Sequence, residues 1–247
     1  MWIPRPFNLA LLALAWLTLP AGAATLVVLA PASATPGLRA LAAQYTASTG
    51  IAVTVSGGAR DKILAVLKDG SQADVVVLPS ADIAELPTVS GMTPLGRILI
   101  GVAVKAGTPV PDVSTPEKFR KALLAAKGVA YADPAAGTSA GPVIARMLTA
   151  PDFVAVKRVP VKGPAVTALA SGQASIALQM LPELAADKTV ALAGPVPDMY
   201  GASVDFSAGI AAATVDAVKA EAFITTLTDP KAAALWKANG LDVPGAH

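Results

Sequence analysis

Residues 25–78 read TLVVLAPASATPGLRALAAQYTASTGIAVTVSGGARDKILAVLKDGSQADVVVL, and this stretch decides the fold. The short apolar runs at 25–30, 51–56 and 73–78 are typical of buried parallel strands. The segments between them have apolar residues at helical spacing and end in glycine. This β-α-β-α-β order predicts a parallel sheet with right-handed crossovers, which holds ligands beyond the C-terminal ends of its strands.

The same pattern restarts after a long apolar segment at 97–105, which indicates a second lobe. Its predicted strands are 129–132, 157–161 and 176–180. The C-terminal part of the chain then returns to the first lobe and adds one more strand and two helices. The sequence therefore predicts an α/β fold with two lobes, each a mostly parallel sheet flanked by helices. The predicted first lobe is 25–98 plus 200–247, and the predicted second lobe is 99–199.

The first 24 residues, MWIPRPFNLALLALAWLTLPAGAA, have the three parts of a secretion signal. Arg5 supplies the positive charge, residues 9–19 the uncharged apolar run, and 21–23 the small residues of a cleavage site. A membrane-spanning helix needs about 20 apolar residues, and Pro20 ends this run at about half that length. We therefore expect residues 1–23 to be removed as a signal peptide and the remaining chain to be exported to a bacterial periplasm.

The composition excludes several kinds of chemistry. The chain has no cysteine, so it has no disulfide, no thiolate metal ligand and no lipid-modified cysteine. Its only histidine, His247, is the last residue, which argues against histidine-dependent catalysis and histidine metal sites. The 19 Lys and Arg are scattered and the net charge is +2, so we expect no nucleic-acid partner. We expect a monomer that needs no cofactor and no metal.

Three loops that follow predicted strands are rich in glycine and small hydroxyl residues, and each precedes a predicted helix. They are 30–37 (APASATPG), 56–60 (SGGAR) and 133–141 (DPAAGTSAG). A helix N-terminus presents unpaired N–H groups and a partial positive charge, so such a loop can bind an anion. The alternative is that Ser33, Thr35 or Ser139 only caps its own helix. Three such loops at one edge of two sheets favour an anion-binding site.

Four stretches of this sequence resemble the type II periplasmic solute-binding proteins, and more narrowly the molybdate-binding proteins of ABC importers. They are LAPASATPGLRALAAQYTASTGIAVTVS (29–56), GSQADVVVLPSAD (70–82), YADPAAGTSAG (131–141) and VTALASGQASIAL (166–178). The resemblance extends from about Thr25 to about Leu241. It implies that a small anion lies between two lobes, held by neutral hydroxyls and backbone N–H groups. It also implies delivery of that anion to an ABC permease in the inner membrane.

The resemblance carries over to the site residue by residue. Ser33 matches the serine of the first loop, and Ala140, with Ser139 beside it, matches the second-lobe loop that donates backbone N–H groups. Other positions depart from the family: 57–60 (GGAR) replaces a serine run, and Gln179 with Met180 replaces a tyrosine. The predicted ligand-binding residues are Ser33, Gly58, Ala59, Arg60, Thr138, Ser139, Ala140, Lys162 and Gln179.

Arg60 and Lys162 bear on the choice of ligand. A guanidinium pairs bidentately with a carboxylate, so these two cations favour an organic acid if they face the cleft. Lys162 falls in a loop where the family usually offers an uncharged backbone donor. The alternative is that both residues are solvated surface cations. If both point away from the cleft, neutral hydroxyls remain and an inorganic oxyanion such as molybdate is the better prediction.

A catalytic function is the second possibility. A few members of the broader family resemble aconitate isomerases, which move a double bond in a tricarboxylate. Such an enzyme needs a base to take a proton and cationic donors to hold the carboxylates. The candidates in this sequence are Asp133, Tyr131, Lys162 and Glu183. We expect a binding protein with no catalytic residue, and we keep the isomerase as the alternative.

Overall fold

The computed structural model describes residues 25–70 and 72–243. The predicted signal peptide and His247 lie outside these residues. The strands are β1 (Leu26–Pro31), β2 (Val53–Gly58), β3 (Val75–Pro79), β4 (Val89–Lys105), β5 (Val129–Ala132), β6 (Arg158–Val161), β7 (Ile176–Met180), β8 (Val190–Pro195), β9 (Ser203–Ala211) and β10 (Leu241–Asp242). The α-helices are α1 (Thr35–Thr49), α2 (Arg60–Lys68), α3 (Ser80–Glu85), α4 (Pro116–Ala125), α5 (Ala140–Met147), α6 (Val166–Ala170), α7 (Leu181–Ala186), α8 (Ala217–Leu227) and α9 (Pro230–Ala238).

The strands form one continuous sheet in the order β2-β1-β3-β9-β4-β7-β5-β6, and β8 and β10 also pair with β4. Strands β2, β1 and β3 are parallel to one another, and so are β6, β5 and β7. Strands β4 and β9 run antiparallel to their neighbours. The predicted α/β class is confirmed, and the returning strands make each half of the sheet mixed.

Strand β4 belongs to both halves of the sheet. Its residues 89–99 pair with β9, and its residues 100–105 pair with β7 and β8. The sequence predicts only 97–105 as a strand, because Gly91, Pro94 and Gly96 interrupt the alternation of the earlier part. The register of β4 against β9 shifts twice in that part. The predicted lobe boundary near Leu99 falls inside β4 and stays a prediction.

One hydrophobic cluster extends through both halves of the sheet. Its members include Leu38 and Leu41 of α1, Ile98 and Ile100 of β4, and Phe119 of α4, each at most 1% exposed. The first two lie at the helical spacing that predicted α1, so the amphipathic pattern of that helix is confirmed. Among the helices of 25–70 and 72–243, none is long and apolar enough to cross a membrane.

A buried carboxylate holds the first half of the sheet together. Asp74 is 8% exposed and lies just before β3. Its Oδ2 accepts a hydrogen bond of 2.8 Å from the Val27 N–H of β1. Its Oδ1 accepts one of 2.6 Å from the Thr214 hydroxyl, which lies between β9 and α8. The side chain therefore connects three segments that are far apart in the sequence.

We expect Asp74→Ala to lower the free energy of unfolding by about 2 to 4 kcal/mol. The substitution leaves two part-buried donors without their acceptor, and an unsatisfied group of this kind costs about 1 to 2 kcal/mol, the lower part of the range for buried groups. Urea unfolding followed by circular dichroism measures this change. Asp69→Ala removes an exposed carboxylate five positions away and is the control, with an expected loss under about 0.5 kcal/mol. Equal losses of unfolding free energy in the two variants would show that the hydrogen bonds of Asp74 do not stabilise the sheet.

Candidate ligand-binding cleft

A cavity of about 450 Å³ lies where the C-terminal ends of the parallel strands in the two halves of the sheet face each other. Its walls come from the loops after β1, β2, β5, β6 and β7. All nine predicted ligand-binding residues line this cavity. Their binding of a ligand remains a prediction. A larger cavity of about 640 Å³ is lined by β4, β9, the turn between α8 and α9, and Ser80 after β3, and it contains none of the nine predicted residues.

Ser33 brings an unpaired hydroxyl to the first side of the cavity. It precedes α1, whose N-cap residue, Ala34, has no side-chain oxygen to cap the helix. Ser33 is 2% exposed, and its Oγ has no hydrogen-bond partner within the described part of the chain. The neighbouring Thr35 does not cap α1 and instead donates from Oγ1 to the Pro31 carbonyl at 3.0 Å. The Ser33 hydroxyl is therefore free to bond a group in the cavity.

Ser139 brings a second unpaired hydroxyl to the opposite side of the cavity. It occupies the N-cap position of α5, but its side chain makes no capping hydrogen bond. The cap comes from Thr138, whose Oγ1 accepts from the Gly141 N–H at 3.1 Å. The Ser139 Oγ is buried and, among the described residues, has no hydrogen-bond partner. Buried hydroxyls are nearly always paired, so these two leave hydrogen-bonding capacity for a ligand at this cavity.

Arg60 lines the cavity at the N-terminus of α2, but two acids hold it. Its Nε donates to Asp82 Oδ2 at 2.7 Å, its Nη2 pairs with the other Asp82 oxygen, and its Nη1 donates to Asp61 Oδ1 at 2.8 Å. Hydrogen bonding to the Asp82 carboxylate raises the pKa of Arg60 above its ordinary value. Three of the five guanidinium donors are thereby used, and two remain for a ligand. The Arg60 side chain is therefore a paired, partly exposed cation and not a free one.

The remaining wall carries Lys162, Gln179 and Glu183. Lys162 is exposed and forms no ion pair with any described residue. Gln179 Oε1 accepts from the Ala165 N–H at 2.8 Å, and its Nε2 donates to Glu183 Oε2 at 2.7 Å. Burial raises the pKa of Glu183 above its ordinary value, and the hydrogen bond from Gln179 opposes part of this effect. The wall therefore combines a free ammonium group with a carboxyl group that holds its proton more tightly than usual.

The other two catalytic candidates lie outside the cavity lining. Tyr131 is 6% exposed and packs in the hydrophobic core from strand β5. Asp133 accepts from the Ala135 N–H at 2.9 Å and caps the single 3₁₀ turn that follows β5. Of the four residues that an isomerase would use, Lys162 and Glu183 line the cavity.

Sequence patterns miss the residue that orients Arg60. Asp82 lies on α3, a six-residue helix that is too short to show a helical period. The pair is separated by 22 positions, so local spacing gives no signal for it. The one clue is the first-turn position of Asp82 in a segment that follows a buried strand, at the edge where ligands bind.

A backbone hydrogen bond joins the two sides of the cleft. The Asp61 N–H of α2 donates to the Gly137 carbonyl at 3.3 Å, and Gly137 precedes α5. Gly137 has φ +69°, and a Cβ atom there would lie 1.9 Å from Asp61 Oδ2. Only glycine fits this position, because a side chain would meet both a strained backbone and a collision. The contact therefore holds the two sides of the cavity close together.

The comparison with known proteins can now be made against this geometry. Residues 26–242 match the family model described as bacterial extracellular solute-binding protein. The chain belongs to this family. Aconitate isomerase of Pseudomonas sp is 29% identical to this solute-binding protein over 254 residues, which cover 96% of the chain and 97% of the relative.

Solved structures confirm the two-lobed fold of the solute-binding protein. The periplasmic molybdate-binding protein of Azotobacter vinelandii superimposes with a TM-score of 0.65 at 22% identity, over 89% of this chain and 99% of the other. The substrate-binding domain attributed to a molybdenum ABC transporter of Clostridium difficile gives a TM-score of 0.70 at 15% identity, over 89% and 99% of the two chains. At these identities the likeness shows the fold alone, so the ligand must be argued from the cleft.

We expect Gly137→Ala to open the cleft of the solute-binding protein. The new methyl group forces α2 and the loop before α5 apart, so the radius of gyration from small-angle X-ray scattering should increase. Gly172→Ala is the matched control, since Gly172 has φ +70° with nothing within 4 Å of its added Cβ. Both variants carry the backbone strain of about 1 to 2 kcal/mol, and only the first adds the collision. Unchanged scattering from Gly137→Ala would contradict a closing role for this contact.

We expect Glu183→Gln to raise the free energy of unfolding, relative to the wild type, more at pH 8 than at pH 4. The unfolded chain loses the Glu183 proton at the ordinary pKa, while the folded chain keeps it to higher pH. Stability therefore falls as pH rises through the window between these two values, and glutamine removes that loss. Urea unfolding at several pH values measures the effect. Glu221→Gln, which neutralises an exposed glutamate of α8, should show no such gain, and an equal gain there would rule out burial as the cause.

Proposed function

We propose that this chain is the exported binding component of an ABC importer and captures a small carboxylate anion between its lobes. The observation that carries the proposal is that the buried hydroxyls of Ser33 and Ser139, at the N-termini of α1 and α5, have no hydrogen-bond partner among residues 25–70 and 72–243. Each helix end adds backbone N–H groups and a partial positive charge. An anion that accepts from both sides satisfies these donors and stabilises the closed cleft.

The other groups of the cleft favour a carboxylate over an inorganic oxyanion. The cavity volume of about 450 Å³ lies within the range of pockets that enclose organic ligands, whereas molybdate is a single tetrahedral group. Lys162 offers a free cation, and Arg60 keeps two donors. Glu183 offers a partner for a second carboxyl group. A ligand with several carboxylates uses more of these groups than an oxyanion does.

The proposed mechanism is capture and release without chemistry. Residues 1–23 direct export to the periplasm, and the mature chain acts as a monomer. The first lobe comprises residues 25–98 and 200–247, and the second lobe comprises residues 99–199. The two lobes rotate about the crossing strands and close on the anion. The ligand drives closure only by its higher affinity for the closed state. A permease in the inner membrane then recognises the closed form.

A second candidate is isomerisation of a tricarboxylate such as aconitate. Two observations favour it: the full-length similarity to an aconitate isomerase, and a titratable carboxyl group in the cavity. The ionised Glu183 would take a proton from the CH₂ carbon, the double bond would shift by one position, and the proton would return to the former vinyl carbon. Lys162 and the serine hydroxyls would hold the carboxylates. Burial moves the Glu183 pKa towards neutral pH, where one group serves as both base and acid.

Calorimetric titration against molybdate, tungstate, sulfate, citrate, tricarballylate and both aconitate isomers tests the proposed ligand class. We expect the tricarboxylates to bind at least tenfold more tightly than the inorganic oxyanions. Lys162→Met should weaken tricarballylate binding about tenfold or more, because a hydrogen bond to a charged group contributes about 1.5 to 3 kcal/mol. Lys188→Met removes an exposed lysine outside the cavity lining and is the matched control. If only molybdate or tungstate binds, the ligand class is an inorganic oxyanion and the carboxylate proposal is wrong.

The ultraviolet absorbance of aconitate decides between capture and turnover. We expect no drift of the spectrum with a catalytic amount of protein over hours. A steady drift that is lost in Glu183→Gln and kept in Glu221→Gln would establish the isomerase instead.

A further inference from the structure

The hydrogen bonds of Gln179 define which oxygen of Glu183 is free. The Ala165 backbone N–H can only donate, so the Gln179 atom that it contacts at 2.8 Å must be the amide oxygen. The Gln179 NH₂ group therefore points to Glu183 and donates to its Oε2 at 2.7 Å. This fixes Oε2 as an acceptor. When Glu183 is protonated, this bond favours the proton on the other oxygen, Oε1, because the carbonyl oxygen of a carboxylic acid is the better acceptor.

Glu183 Oε1 is then a hydrogen-bond donor on the wall of the cavity. No described residue forms a hydrogen bond with Oε1, and Glu183 belongs to the cavity lining. A protonated carboxyl group can donate to a ligand carboxylate, and an O–H to O⁻ hydrogen bond is short and strong. An ionised Glu183 has no proton to give and repels the same ligand. The protonation state of this single group therefore decides between attraction and repulsion.

No other titratable group replaces Glu183 in this role. Helix α7 packs against β4, β7 and β8, and neither β7 nor β8 contains a titratable residue. Strand β4 contributes Arg97 and Lys105, both exposed, and Arg97 faces Asp242 at 3.9 Å. The charged groups that share the cavity lining with Glu183 are Arg60 and Lys162. Arg60 is already paired with Asp82 and Asp61, so Lys162 is the free cation of the described cavity wall.

We propose that Glu183 contacts the bound ligand as a carboxylic acid, so that capture of a carboxylate anion takes up one proton. This inference rests on the proposed function, because it needs a carboxylate in the cleft. Above the pH at which Glu183 ionises in the free protein, each bound anion must bring a proton with it. Affinity then falls up to tenfold for each further pH unit. Burial of the group, which raises its pKa, puts this dependence closer to neutral pH.

Gln179 is a positioning residue in this scheme. Its hydrogen bond favours the ionised form of Glu183 and so lowers the pKa of that group. Replacement by leucine, which cannot donate, should move the onset of the affinity loss to higher pH. A purely structural role for Gln179 would weaken binding by the same factor at every pH.

Calorimetric titration with tricarballylate in buffers of different ionisation enthalpy tests the inference. Tricarballylate has no double bond, so turnover cannot interfere. The proton uptake on binding is measured from pH 5 to pH 8 for the full mature chain, for Glu183→Gln and for the control Glu221→Gln. In the upper part of this range we expect the wild type and the control to take up about one proton more than Glu183→Gln. Protons bound by tricarballylate itself cancel in this comparison.

The possible failures can be told apart. Equal proton uptake by the wild type and Glu183→Gln at every pH, with tricarballylate bound by both, overturns the inference and leaves the proposed function standing. Absence of tricarballylate binding by every variant overturns the carboxylate function and the inference with it. If Glu183→Gln does not fold, as judged by circular dichroism, the pH profile of Gln179→Leu decides. An unshifted onset in that variant overturns the inference.

Discussion

The cleft depends on strand β4, which forms hydrogen bonds in both halves of the sheet. Because β4 pairs with β9 over 89–99 and with β7 and β8 over 100–105, it fixes the two sets of parallel strands relative to each other. The C-terminal ends of β1 and β2 then face those of β5, β6 and β7 across one cavity. Each of these ends leads into a helix, so backbone donors converge there without any charged side chain. The few polar side chains of the site add to the effect of these fixed helix dipoles.

The charged groups of the site are arranged so that little net charge acts on an anion. Arg60 is held by Asp82 and Asp61, which together outweigh its charge. Lys162 is free, and Glu183 opposes it when ionised. A site of this kind attracts an anion mainly through hydrogen-bond donors, which are directional and select shape.

The sequence predicts which residues come together at one cavity, because their place follows from position along the strands; their binding of a ligand stays a prediction. All nine residues, taken from the loops after predicted strands and from positions matched to the resembled family, line one cavity, since the ends of parallel strands meet at one edge. The sequence does not predict what those side chains touch. Arg60 was considered as either a ligand contact or a solvated cation, and its bidentate partner Asp82 is on a six-residue helix without a readable period. The sequence also fails to predict strand β8 and the first part of β4, because glycine and proline interrupt or end the alternation of apolar and polar residues there.

Glu183 also separates the two functions that the fold can support. A binding role in which Glu183 donates a hydrogen bond requires the protonated acid in the complex. Proton abstraction from a tricarboxylate requires the ionised base in the same complex. One carboxyl group cannot satisfy both demands in a single bound state, so an enzyme that bound its substrate through protonated Glu183 would need another base. Lys162 is the remaining titratable group of the described lining that is not already paired, and it would have to lose its proton for that purpose. The number of protons taken up on binding therefore reports on the chemistry of the cleft as well as on its affinity.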